Sequence, residues 1–213
     1  MASGTSLPFE SQPDFPWIPA DENPWNVLVI DLRKVALSMV STTLDPKIAE
    51  TFVAFRTGEE YLAVELPIHH RVPGGIRLPT VLAERTGPIA IAAEMEDKWN
   101  VYLYQKRLFF ARSWTGELVH SATFEERGCS LTITSVETND AESGETHVVR
   151  EVDYLIESYV LGNVFPHPLP RSLDRSLEAV LGYSFSKHGR RGLFATYDDT
   201  LTATHPAGPV GTR

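Results

Sequence analysis

The sequence contains a single cysteine and lacks a long apolar run. Cys129 is the only cysteine among 213 residues, so neither an intramolecular disulfide nor a zinc site built from several thiolates can form. No stretch approaches the roughly 20 apolar residues of a membrane-spanning helix. The segment from Met1 to Pro24 also has no continuous apolar core of the kind found in secretory signals. We therefore expect a cytoplasmic protein without a membrane partner.

The common catalytic and nucleotide-binding motifs are also absent. The sequence has no GxSxG, no Walker loop, no GxGxxG and no HExxH. His69 and His70 are adjacent, so on a strand their side chains would point to opposite faces and could not easily share a metal. We expect no metal and no cofactor, and we interpret the histidines as surface and loop residues. A metal site assembled from residues distant in the sequence stays open as an alternative.

Negative charge exceeds positive charge. The chain has 19 Lys and Arg residues against 28 Asp and Glu residues, a formal charge of -9. Such a chain repels phosphate backbones, so we expect no nucleic-acid partner. The densest basic patch, His188 to Arg191, is interpreted as a solvated turn.

Periodicity predicts an α+β fold built on an antiparallel β-meander. Four β-rich runs are separated by very short polar turns, namely Trp99 to Tyr104, Leu108 to Trp114, Leu118 to Phe124 and Ser130 to Val136. Apolar residues recur at three-to-four spacing from Val148 to Tyr159, which predicts the main amphipathic helix, ending at Gly162. We expect this helix to pack on the apolar face of the antiparallel sheet.

Shorter elements are predicted around this core. A strand is expected within Trp25 to Leu32, and a short helix over Asp45 to Phe55 with Pro46 in its first turn. A second helix is expected over Ser172 to Leu181, stopped by Gly182. Two extended segments, Glu60 to Pro67 and Ile76 to Glu84, are expected on either side of a turn at Val72 to Gly75.

The predicted organisation has three parts. Residues 1–24 form an irregular arm, 25–183 a single α+β domain and 184–213 a C-terminal extension with a frayed end. The arm carries isolated aromatic residues, which either dock onto the body of the protein or hook a partner.

The five residues Arg112, Ser113, Trp114, Thr115 and Gly116 stand out as a candidate binding site at a hairpin tip. Arg112 could pair with a carboxylate or phosphate while Trp114 stacks on a planar group. Alternatively, Thr115 and Gly116 close a tight turn and Trp114 covers the end of the sheet.

This block, WNVYLYQKRLFFARSWTGELVHSA, resembles a strand-turn-strand block of uncharacterised bacterial proteins. Some of these also begin with a segment like Asn23 to Asn26, Asn-Pro-Trp-Asn. The resemblance covers about half of the chain and is loose outside Arg112 to Gly116. It implies a shared fold and brings no activity, substrate or catalytic residue with it.

Three carboxylates before Trp99 and the single cysteine are further candidates for chemistry. Glu94, Glu96 and Asp97 could divide acid and base roles, although carboxylates at the entry to a strand are more often a solvated charge cluster. Cys129 lies in no recognised nucleophile context and is interpreted as a small apolar residue of the sheet.

We expect a non-enzymatic protein-interaction module, such as an accessory, inhibitor or immunity-type factor that binds another protein. Its acidic surface would favour a basic partner and speed association. The alternative is a small enzyme or small-ligand-binding protein with an anionic group held near Arg112 and Trp114 and with Glu94 or His120 as acid or base. A third alternative is a homo-oligomeric structural subunit.

Overall fold

A computed structural model describes residues 16–54, 56–128 and 130–197, which form two β-sheets and four α-helices. The helices are α1 (Arg33–Ala36), α2 (Pro46–Val53), α3 (Glu145–Leu155) and α4 (Leu177–His188). The strands are β1 (Trp17–Ile18), β2 (Val29–Asp31), β3 (Ile68–Leu78), β4 (Gly87–Ala90), β5 (Trp99–Tyr104), β6 (Arg107–Arg112), β7 (Leu118–Arg127), β8 (Ser130–Thr138), β9 (His167–Leu169) and β10 (Phe194–Tyr197).

The larger sheet has six strands in the order β3-β8-β7-β6-β5-β4, and every neighbouring pair is antiparallel. Strands β5 to β8 follow one another, so the predicted meander is confirmed. The β5–β6 turn consists of Gln105 and Lys106, whose φ angles of 50° and 63° fit the tight turn that matches strand twist. The same register pairs Trp99 with Arg112 at the far end of the two strands.

Helix α3 covers one face of this sheet, as the amphipathic pattern predicted. Val148, Val152 and Leu155 are fully buried in the same apolar cluster as Val101 and Ile133 of the sheet. The helix continues as one π-helical turn over Ile156–Val160, and the chain then reverses at Gly162, whose φ is 74°. The α+β class is confirmed.

The opposite face of the sheet is covered by a short 3-10 helix over Glu59–Ala63 and the residues after it. Tyr61 and Leu66 pack on Tyr102 and Phe109 in a second apolar cluster. The prediction of an extended segment over 60–67 is therefore wrong. The segment contributes single apolar side chains that cover the sheet and does not pair as a strand within the described chain.

Strand β3 also differs from expectation, because it runs through residues 72–75. The prediction placed a turn there, but the pairing of β3 with β8 continues on both sides and only shifts its register between Arg71 and Ile76. The prediction of an extended run to Glu84 is partly wrong, since a 3-10 helix occupies Thr80–Glu84. The Pro-Gly-Gly sequence makes a β-bulge here.

The smaller sheet has the order β1-β2-β10-β9, with β9 and β10 parallel. Strand β10 is an interior strand, so residues 184–197 of the predicted C-terminal extension enter the fold. Strand β1 at 17–18 likewise brings part of the predicted arm into this sheet. The remainder of the arm, residues 1–15, and the predicted frayed end at 198–213 lie outside the described residues.

The two remaining helix predictions have different outcomes. Helix α2 is confirmed, with Asp45 as N-cap and Pro46 in its first turn, while Phe55 lies outside the described residues. Helix α4 starts later than predicted, at the N-cap Ser176, and runs through Gly182 to Gly189. Gly182 does not stop the helix, because an exposed glycine costs a helix only about 1 kcal/mol. No helix of the described ranges is long and apolar enough to cross a membrane.

Candidate functional site

Arg112, at the end of β6, is engaged with the C-terminus of α4. Its Nη1 donates to the Lys187 carbonyl oxygen and its Nη2 to that of Ser186, both at 2.8 Å. Its guanidinium carbon lies 4.7 Å from the centre of the Trp99 ring. The last carbonyl groups of a helix carry its negative dipole end, so Arg112 acts as a charged cap for α4.

Ser113 and Trp114 bind the backbone of the segment that precedes β5. Ser113 is 1% exposed and its Oγ donates to the Asp97 carbonyl oxygen at 2.6 Å. The Trp114 Nε1 donates to the Met95 carbonyl oxygen at 2.8 Å. The polar atoms that the sequence suggested for ligand contacts are therefore used to hold the hairpin tip against residues 95–98.

Thr115 and Gly116 close the turn. The Thr115 Oγ1 accepts from the Glu117 amide, and the Gly116 amide donates to the Arg112 carbonyl oxygen at 2.7 Å. Gly116 has a φ of 70°, and a Cβ atom there would meet the Arg56 guanidinium carbon at 2.3 Å. The backbone conformation thus favours glycine here, and any larger residue would also displace the Arg56 guanidinium group.

Lys98 is a buried lysine that sequence reasoning missed. It is 5% exposed, and its Nζ donates to Ser41 Oγ at 2.5 Å and to the Met95 carbonyl oxygen at 2.7 Å. The ammonium group lies 4.3 Å from the Trp114 ring centre and 5.2 Å from that of Phe185. Burial, together with the positive charge of Arg112, lowers the pKa of Lys98 to about 8.

The acidic residues before β5 separate into different environments. Glu96 is only 7% exposed and its Oε1 accepts from the Ser41 amide at 2.9 Å, a hydrogen bond that lowers the pKa of Glu96. The interpretation of Glu96 as part of a solvated cluster is therefore wrong. Glu94 is exposed and pairs with Arg190, and Asp97 Oδ1 lies 3.7 Å from Arg191 Nε.

His120 belongs to a group of titratable side chains, here called the buried node, formed by His120, Glu151, His167 and His188 inside the fold and by the partly exposed Lys187. The His120 Nε2 lies 3.2 Å from Glu151 Oε2, and both side chains are fully buried. Lys187 Nζ lies 3.4 Å from the other carboxylate oxygen, Oε1. The node joins β7, α3, β9 and α4, and thus connects the two sheets.

Within the buried node, Glu151 is ionised, whereas His167 and His188 are neutral. Burial opposes ionisation of Glu151, but the charge of Lys187 and the hydrogen bond with His120 outweigh it and hold the pKa of Glu151 well below its usual range. Burial lowers the pKa of His167 to about 4 and that of His188 well below its usual value. These two histidines are uncharged at neutral pH.

The histidines were expected at the surface and in loops, and four are instead buried. His120, His167 and His188 are fully buried and His147 is 4% exposed. The rings of His167 and His188 pack against Tyr154 of α3 and Tyr183 of α4. The ring of His120 stacks instead on Trp99 of β5, with 5.8 Å between the ring centres. Within the described residues, no group of three or more His, Cys, Asp or Glu side chains could hold a metal ion.

A cavity of about 480 Å³ lies between the C-terminal turn of α4 and the ends of β6 and β8. Its lining includes the cations Arg112 and Lys187 and the acids Glu117 and Asp140, so it carries both signs of charge. Trp114, Glu94 and His120 are not among its lining residues. The structure brings Arg112 to this cavity but does not bring the other sequence-predicted site residues there.

Residues 37–53, which we call the exposed segment, present apolar side chains to solvent. Leu37, Val40 and Leu44 are 64%, 69% and 102% exposed. Ile48 and Phe52 share one face of α2 and are half-buried, and no α2 side chain described by the structure is buried. The sequence predicted helix α2 but gave no sign that the apolar residues before it would be exposed.

The exposed segment is attached to the hairpin tip at both ends. Near its start, Ser41 is bound by Glu96 and by Lys98, whose ammonium group lies against Trp114. At its end, Arg56 Nη1 donates to the Thr51 carbonyl oxygen at 3.3 Å. The guanidinium group of Arg56 also approaches Gly116.

Comparisons with known proteins identified no relative of this chain. No protein-family model, no curated protein and no solved structure matches the chain.

Proposed function

We propose that the protein is a non-enzymatic interaction module that binds another protein through the exposed segment. The observation that carries the proposal is the exposed apolar surface formed by Leu37, Val40 and Leu44, which the half-buried Ile48 and Phe52 of α2 continue. A helix of eight residues is not stable in isolation. An amphipathic helix with Ile48 and Phe52 one turn apart is the kind of element that inserts into an apolar groove.

The partner that fits this surface has an apolar groove with a basic rim. The apolar requirement comes from the side chains at positions 44, 48 and 52, which are spaced four residues apart. The basic requirement comes from the formal charge of -9 and from the exposed acids Asp45 and Glu50 beside the apolar face. Opposite charges at the rim would steer association and orient the helix. Nucleic acids and anionic membranes fit this charge poorly.

An accessory, inhibitor or immunity-type role agrees with this mode of binding. Such proteins act by occupying a surface of their partner, and they need a stable platform and a contact surface but no reaction centre. The buried node and the hairpin tip supply a platform in which charged groups are paired inside the fold.

Affinity capture from a lysate of the source cells, followed by titration of the captured protein, tests the proposal. The test variant is Val40→Ser/Leu44→Ser, and the matched control is Val81→Ser/Val164→Ser, which changes valines that are 64% and 52% exposed elsewhere. We expect the test variant to bind at least about tenfold more weakly, since each buried aliphatic group contributes on the order of 1 kcal/mol. The control should bind as the wild type does.

Equal loss in both double variants, or loss in neither, would contradict the proposal. A dimer seen by light scattering that dissociates in the test variant alone would identify the partner as a second copy and support the structural-subunit alternative. Capture of no protein by the wild-type chain would count against the module as well.

A second candidate function is a small-ligand site in the cavity beside Arg112. The cavity volume of about 480 Å³ and the buried Glu151 behind Lys187 favour it. The pairing of Arg112 with two carbonyl groups and the presence of Glu117 and Asp140 disfavour an anionic ligand there. Native mass spectrometry of the purified chain tests this candidate, which requires a retained small molecule that Tyr183→Ala loses.

A further inference from the structure

We infer that Lys98 and the hairpin tip position the exposed segment for its partner, although they would not touch that partner. The inference rests on the proposed function, because it concerns how the same surface is presented. It assigns the residues that are conspicuous in the sequence, Trp114 and Gly116, a positioning role. The contact role belongs to the apolar residues of the segment.

The first step is the attachment of Ser41. Residues 39–45 have no regular secondary structure, so few backbone hydrogen bonds restrict them. Ser41 is bound twice, through its amide to Glu96 Oε1 and through its hydroxyl to Lys98 Nζ. Both binding partners are buried and therefore fixed. The flanking Val40 is thereby held outward.

The second step is what fixes Lys98. A lysine side chain has four rotatable bonds, and an exposed one would not hold Ser41 in a single place. Here the ammonium group is enclosed by the rings of Trp114 and Phe185 and by the Met95 carbonyl oxygen. The Trp114 ring is itself fixed by its hydrogen bond to Met95. The hairpin tip thus determines the position of the ammonium group.

The third step is the other end of the segment. Arg56 binds the Thr51 carbonyl oxygen in the last turn of α2 and lies against Gly116, where a Cβ atom would displace its guanidinium group. The two attachment points, Ser41 and Thr51, bracket Leu44 and Ile48. Fixing both ends of a short segment removes much of its conformational freedom before binding, which lowers the entropy lost on association.

Hydrogen exchange of the free protein tests the inference without any partner. The variants are Ser41→Ala, which removes the acceptor for Lys98, and Lys98→Met, which removes the donor. The controls are Ser41→Thr, which keeps a hydroxyl, and Lys106→Met, which removes a lysine whose side chain is 60% exposed. We expect exchange of the hydrogen-bonded amides, those of Ser41 and of α2, to accelerate about tenfold or more in both test variants and to stay near wild type in both controls.

The titration of the captured protein then completes the test. The inference is supported if the test variants exchange faster and also bind more weakly, and if the weaker binding results from a lower association rate. Unchanged exchange in the folded Ser41→Ala chain overturns it while leaving the proposed function intact. Faster exchange with unchanged binding also overturns it, because the segment would then bind equally well without being held in place. The Val40→Ser/Leu44→Ser variant decides separately whether the segment is the docking surface. Ser41→Ala alters an exposed segment, so it decides the matter even if Lys98→Met does not fold.

Discussion

The hairpin tip and the exposed segment are connected through Lys98 and Arg56 but use their side chains in opposite ways. At the tip, Arg112, Ser113 and Trp114 direct their donors to backbone carbonyl groups within the fold. In the segment, Val40 and Leu44 direct apolar side chains into water. The polar residues that the sequence suggested for binding form hydrogen bonds within the fold. The exposed surface is formed by ordinary aliphatic residues.

The difference follows from what burial costs each kind of group. A cation removed from water must find acceptors, so a conspicuous arginine or lysine in a packed region is usually paired. Lys98, Lys187 and Arg112 all follow this rule. Exposed aliphatic residues have no such requirement, and Leu37, Val40 and Leu44 remain in contact with water in the free chain, which is why the proposed interaction rests on them.

The largest expected effect follows from removing the negative charge of Glu151, which lies at the centre of the buried node. Glu151→Gln should lower the free energy of unfolding by about 3 kcal/mol, because Lys187 loses its counter-charge and His120 loses the carboxylate that it contacts inside the fold. Urea unfolding measures the change, with the exposed Glu142→Gln as control. A loss below about 1 kcal/mol would show that the node contributes little to the stability of the platform.

Acid should weaken the same region. An unfolded histidine has a pKa near 6.5, whereas that of the buried His167 is about 4, so between these values the unfolded chain binds a proton that the folded chain does not. Stability is therefore retained above about pH 6.5 and lost as the pH falls toward 4. His188, whose pKa is lowered in the same direction, adds to the loss. Charged and titratable groups around this pair are Tyr154 and Glu151 of α3, Tyr183 and Lys187 of α4, His147 and Arg112.

Urea unfolding at about pH 7 and pH 5 measures this loss, which for His167 alone is about 2 kcal/mol over that interval. His167→Gln should reduce the pH dependence relative to that of the wild type. Equal pH dependence in wild type and His167→Gln would show that His167 is not held neutral in the folded protein.

A smaller effect should follow when the cap on α4 is weakened. Arg112→Lys keeps the charge but cannot donate to the Ser186 and Lys187 carbonyl groups with a planar fork. We expect a loss of about 1 to 2 kcal/mol. Thermal unfolding measures it, and Arg127→Lys at an exposed site is the control. An unchanged melting temperature would favour a role for Arg112 other than capping.

The sequence predicted the sheet because its periodic signal is local. The four runs of the meander and the helix after Glu145 depend on alternation or on three-to-four spacing, and each is visible within a dozen residues. The end of α4 was misplaced because Gly182 resembles a stop signal. It lies on an exposed side of the helix, where a missing side chain has little effect.

The arrangement of the site could not be predicted in the same way. Lys98 meets Ser41 across 57 positions, and Trp99 Nε1 meets the Lys187 carbonyl oxygen across 88. Such contacts depend on how the two sheets and four helices pack together, and the periodicity of the sequence does not predict that packing. Burial has the same origin, which is why Glu96 and the histidines were assigned to the surface.

The smallest change in stability is expected in the exposed segment, and it tests most directly whether the apolar side chains there are uncovered. Leu44→Ser replaces a side chain that is 102% exposed, so the free energy of unfolding should change by less than about 0.5 kcal/mol. A parallel Leu103→Ser variant, at a residue 1% exposed, should lose several times more. Urea unfolding of the two variants measures the contrast. If Leu44→Ser destabilised the free protein by about 1 kcal/mol or more, Leu44 would be packed within the monomer, and the uncovered surface on which the interaction depends would be smaller by its most exposed residue.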